Sequence, residues 1–127
     1  MIKFKALLVF LTITTLVQAQ EFTRTVHIIT PDQRKLTYTS KITNLRLNQT
    51  ENNCQIVWTS ENMEYHLPTM PKKCKEYPSM KVYEFAKNDI KHRLVVSYYN
   101  DVIKGVLFSE YQMKLNEWEI VKQVTFE

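Results

Sequence analysis

Between its two cysteines, Cys54 and Cys74, the chain also carries Met63, His66 and Met70. Two chemistries fit such a cluster. Thioethers, an imidazole and a thiol are the soft donors that copper prefers, so Met63, His66, Met70 and Cys74 form a conceivable metal set. Alternatively, the two thiols join to each other. Pro68 and Pro71 break any helix that would stack the four donors, and a metal set of that kind would leave Cys54 unpaired. The disulfide is therefore the reading adopted, provided that the chain matures in an oxidising compartment, and no metal or other cofactor is expected.

The compartment is inferred from residues 1–19. Lys3 and Lys5 precede an apolar run from Ala6 to Val17, and Val17-Gln18-Ala19 presents slender side chains where a signal peptidase cuts. We read residues 1–19 as a secretory signal and residues 20–127 as one mature domain, secreted or periplasmic. The apolar run is about half of the roughly 20 residues that span a bilayer, and no membrane span is expected. In that setting a Cys54–Cys74 bridge, closing a loop of about 20 residues, contributes roughly 3 kcal/mol in the chain-entropy model.

Removing the leader also changes the charge. Of 17 basic residues two leave with it, against 13 acidic residues that stay. The balance that remains is near neutral, without the basic footprint on which nucleic-acid binding relies. Asn48-Gln49-Thr50 is a glycosylation sequon in an expected turn, usable in a eukaryotic secretory pathway.

Catalytic motifs are scarce. There is no nucleophile elbow, phosphate-cradling loop, HExxH or CxxC, and a single glycine leaves little material for such loops. Three histidines, His27, His66 and His92, are the candidates for general acid–base work, since imidazole titrates near neutrality. Two of them meeting in one cleft would make a small secreted hydrolase. No spacing forces them together, so an enzyme is the lesser expectation.

The aromatic residues point elsewhere. Trp58, Tyr98, Tyr99 and Trp118 are the candidate contact residues for a ligand or partner, because Tyr and Trp bury much area while keeping a polar atom available. Tyr98 and Tyr99 are adjacent, so in a strand one faces the core and the other faces away.

The elements that must position these residues read as strands. Apolar and polar residues alternate in Phe22–Thr30, and again in Lys35–Asn48 as one long or two short strands. Gln55–Ser60 and Met63–Pro68 make a hairpin through Glu61-Asn62. Pro68–Pro78 is expected to be an exposed loop tethered by Cys74. Residues 81–87, 90–99, 102–115 and 117–127 then form a meander turning at Asn88-Asp89 and Asn100-Asp101. The last strand, with Ile120, Val124 and Phe126 on one face, is expected near an edge.

The fold class is all-β, a small single-domain antiparallel sandwich or barrel-like meander. The competing class is α+β with one or two helices packed on the sheet, because Val82, Phe85, Ala86, Ile90 and Leu94, and likewise Leu107, Tyr111, Leu115 and Trp118, also fall on helical stripes. The function expected is a small exported binding or interaction module whose partner is a protein or a small apolar ligand. A structural envelope or matrix component is a further alternative.

Overall fold

A computed structural model describes residues 20–127; the expected leader, 1–19, lies outside the described residues. Ten strands follow one another: β1 (Glu21–Ile29), β2 (Lys35–Gln49), β3 (Asn53–Ser60), β4 (Met63–His66), β5 (Met70–Pro71), β6 (Lys75–Tyr77), β7 (Met80–Lys87), β8 (Ile90–Tyr99), β9 (Val102–Lys114) and β10 (Glu117–Phe126). All belong to a single antiparallel sheet ordered β4-β3-β2-β1-β10-β9-β8-β7-β6, with β5 paired to β3. The sheet curls into a half-barrel, so the chain is all-β and the barrel-like meander is the form it takes.

The described residues contain no helix. The two helical stripes fail for a local reason. Each runs across a hairpin turn, at Asn88 in the first case and at Leu115-Asn116 in the second. Tight turns here are built almost without glycine. Glu61-Asn62, Asn100-Asp101 and Leu115-Asn116 each place two successive residues at φ between 50° and 65°, the left-handed pair that a two-residue hairpin of type I′ demands. Asn and Asp tolerate that region because their short side chains bond locally to the backbone. Gly105 is used for closeness instead: a Cβ there would meet the Phe126 carbonyl oxygen at 3.3 Å.

β10 is not at an edge. It lies between β1 and β9, with Arg24 opposite Phe126 and Val124 opposite Phe108, so the first and last described strands form the middle of the sheet. A bulge between Ile120 and Lys122 also breaks the expected face: Lys122, its one polar member, stays with Val124 and Phe126 on the inner side, whereas Ile120 is turned out.

Inward-facing residues lie in cross-strand rows. One row is Tyr83, Leu94, Phe108, Val124, Val26 and Tyr38; the next is Lys81, Val96, Val106, Phe126, Arg24 and Ser40. With Phe22, Ile42, Ile56, Trp58 and Met70, the apolar members of these rows other than the exposed Tyr38 supply the core on the concave side. Burying them drives the curl, at about 1.5–3 kcal/mol for each large apolar side chain removed from water.

The segment Pro68–Pro78 is more than an exposed loop. Met70 is 1% exposed and pairs with Cys54, while Lys75–Tyr77 pairs with Met80–Val82. The chain thus crosses from the β3 margin of the sheet to the β7 margin within Lys72, Lys73 and Cys74, a span of at most about 15 Å.

Candidate functional site

The concave face is filled in its middle and open at one end. There a groove of about 610 Å³ is floored by Phe22, Leu45, Leu47, Tyr98 and Ile103, with Lys81, Arg46 and Asp101 at its rim. Two bulges build it. In β2 the register slips between Thr43 and Arg46, with Asn44 at φ 58°, which shifts the inward phase so that Leu45 and Leu47 follow Leu36, Tyr38 and Ile42 onto one face. Between β8 and β9 the register slips after Ser97, which sets Tyr98 opposite Ile103.

The cations at the rim are not equivalent. Arg46 is held by Glu64 at 2.8 Å and by the Asn44 carbonyl at 3.1 Å. Lys81 lies over the Tyr98 ring, 5.7 Å from its centroid, with Glu76 at a loose 3.9 Å.

Beside the groove Tyr98 joins Tyr83, Cys54 and Cys74. The expected Cys54–Cys74 bridge is absent, and both are free thiols. They are close enough to influence each other, yet Cys54 is buried in β3 with its thiol donating to the Pro71 carbonyl at 3.8 Å, whereas Cys74 sits half-buried in the crossing segment. Burial pushes the Cys54 thiol up to about 11, with Cys74 as a second cause. Burial likewise raises the Tyr83 and Tyr98 phenols, and the nearby thiols add to it. The Tyr83 hydroxyl is fully buried without a hydrogen-bond partner, with the Cys74 thiol beside it. This is a corner that keeps its weak acids protonated.

The metal set weighed from the sequence is not assembled. Met63 is exposed, His66 Nδ1 lies 2.9 Å from the Gln55 amide nitrogen and 3.0 Å from the Leu67 carbonyl, and Met70 is buried and paired with Cys54. Among the described residues no three His, Cys, Asp or Glu side chains converge.

The histidines are likewise dispersed. His27 bonds to Thr37 at 3.0 Å, His66 stands on the β4 edge, and His92 bonds to Glu110 at 3.0 Å with its ring 5.2 Å from Phe108. His92 faces inward in the row of Glu110 and Lys122, whereas His27, one residue before inward-facing Ile28, points out.

Of the four aromatic candidates, the structure places Trp58 and Tyr98 on the concave side and Tyr99 and Trp118 elsewhere. Trp58 packs on Phe126, centroids 5.0 Å apart, and stacks with Tyr65 at 6.2 Å. Tyr99 is 67% exposed, and Trp118 is half-buried beside Lys91 and Tyr111 on the convex side. Phe22, Lys81 and Ile103 line the groove without having been singled out. One sequence signal does mark the groove: the apolar alternation of β2 changes from even positions to odd between Tyr38 and Leu45. Compared with protein-family models, known proteins and solved structures, the chain matches none.

Proposed function

We propose that this chain is an exported, non-enzymatic binding module that takes the apolar part of a small ligand in the groove between β1, β2, β8 and β9. The observation that carries this reading is the groove itself: about 610 Å³, open, apolar-floored, and within the size range of small-molecule sites. The basic, then apolar, then slender order of residues 1–19 supports export to the periplasm or the exterior. A hydrolase built on a histidine pair draws no support from histidines that face opposite sides of the sheet.

The test is titration with N-phenyl-1-naphthylamine, a neutral apolar fluorophore. The intact protein is expected to give a saturable, blue-shifted signal. Leu47→Glu, which sets a charge on the groove floor, is expected to weaken binding about tenfold or more. Tyr99→Ala, outside the groove, is expected to leave it unchanged. A signal that never saturates, or one indifferent to Leu47→Glu, overturns the reading. Amino-terminal sequencing of the protein from its host is expected to begin at Gln20.

A further inference from the structure

Arg24 is the one charged side chain of these two inner rows that is half-buried beside apolar neighbours without an opposite charge. It projects from β1 into the concave face between Phe126 and Ser40, and its guanidinium lies over the Trp58 ring, 5.3 Å from the centroid. Its Nε is buried without a hydrogen-bond partner. Among the described residues no carboxylate forms an ion pair with it, although Arg34, Arg46 and Arg93 each have one. Burial pulls its pKa down, the direction expected of a cation deprived of water and not given a counter-charge.

Beside Arg24 is a recess of about 250 Å³, separate from the groove, lined by Arg24, Ser40, Trp58, Ser60 and Tyr65. Every polar group that these side chains bring can donate a hydrogen bond. Two serines, a tyrosine and an arginine line one space, the Tyr65 hydroxyl making only a long 3.9 Å contact to the Met63 sulfur, and no carboxylate lines it. A guanidinium beside an indole, with its Nε enclosed, can still turn its two terminal nitrogens outward, and that pair matches two oxygens of a carboxylate or phosphate at once.

We propose that Arg24, Ser40, Ser60 and Tyr65, over the floor of Trp58, form a binding site for a single oxyanion, the carboxylate or phosphate group of a small ligand. The anion supplies the counter-charge that the fold withholds from Arg24. The site does not depend on what occupies the groove.

Trp58 reports its own occupancy. In a Trp118→Phe background its fluorescence is the only indole signal, and sodium acetate and sodium phosphate are titrated separately against sodium chloride at matched ionic strength. Saturable change at roughly millimolar anion or below is expected in at least one arm, and the tighter arm names the head group. Arg24→Lys, which keeps the charge but loses the fork, is expected to weaken binding about tenfold, and Arg24→Met to abolish it. The same anion is expected to raise the melting temperature of the parent and not of Arg24→Met. Should Arg24→Met fail to fold, Ser60→Ala takes its place, with binding weakened severalfold. Responses equal to those in chloride, or unchanged in the Arg24 and Ser60 variants, overturn the proposal.

Discussion

The molecule carries a cation over each of its two tryptophans at the same distance. Arg24 sits 5.3 Å from the centroid of Trp58 and Lys91 sits 5.3 Å from that of Trp118. The surroundings differ. Lys91 lies on the convex side, where its charge also meets Tyr111 at 4.5 Å, and Trp118 remains half-buried. Arg24 lies half-buried inside the curl, against a Trp58 that is only 4% exposed. At an exposed site such a pair is worth about 0.5–1 kcal/mol and asks nothing further of the protein. In a recess the same contact leaves a cation partly stripped of water, a cost that the ring offsets only in part. The same distance thus involves a cation shared by two rings on one face and a half-buried one without an ion pair on the other.

Substitutions sharpen this contrast. The largest effect belongs to the rings: Trp58→Ala is expected to lose about 3–5 kcal/mol in denaturant unfolding, as Phe126 and Arg24 are left against a cavity. Trp118→Ala is expected to lose less than about 1 kcal/mol. Equal losses would mean that the two faces do not differ in packing.

Next come the cations. Lys91→Met is expected to lower stability by roughly 0.5 kcal/mol. Arg24→Met, in the absence of added oxyanion, is expected to hold or raise the unfolding midpoint, because it removes an uncompensated charge and keeps an apolar stem over Trp58. A large loss in Arg24→Met would assign that residue a structural role instead.

Alkaline pH separates the faces in another way. Cys54 is held protonated in the fold up to about 11, above the value of about 8.5 for an unfolded thiol. A group raised on folding stabilises fully below its unfolded value, and that contribution is lost as pH rises through the folded one. Stability is therefore expected to fall between about pH 8.5 and 11, with Tyr83 and Tyr98 extending the loss upward. Cys54→Ala is expected to flatten the slope, measured by urea midpoints, and Trp118→Phe to leave it as it was. Alkylation of the native protein should label half-buried Cys74 before Cys54; a single fast phase for both would contradict their different burial.

The smallest effect lies beside Trp118, at the β9–β10 turn. Leu115 has φ 50° and is 98% exposed, so it carries backbone strain without compensating contacts. Leu115→Asn is expected to add about 0.5–1 kcal/mol without altering Trp58 fluorescence.

Most strand spans were legible along the chain. Alternation located β1, β2, β3 and β7 to β10 to within a residue or two, and Glu61-Asn62, Asn88-Asp89 and Asn100-Asp101 marked three of the hairpins, because both signals are local. The site was legible in part. Trp58 and Tyr98 were singled out and lie inside the curl, whereas Tyr99 and Trp118, chosen on the same chemical grounds, do not. Residue type states what a side chain is able to contact, and the facing of a strand residue depends on bulges such as those at Asn44 and Val121, which alternation alone does not count.

By itself, then, the sequence determined strand lengths, turn positions and the near-neutral charge of residues 20–127, all properties of neighbours within a few positions. The tertiary structure decided that β1 pairs with β10 at the centre of one sheet, that the thiols stay separate, and that Arg24 meets Trp58 instead of a carboxylate. Each of these rests on hydrogen bonds and burial between residues far apart in the chain, and the hydration left to a charge is set only once those distant parts have closed around it.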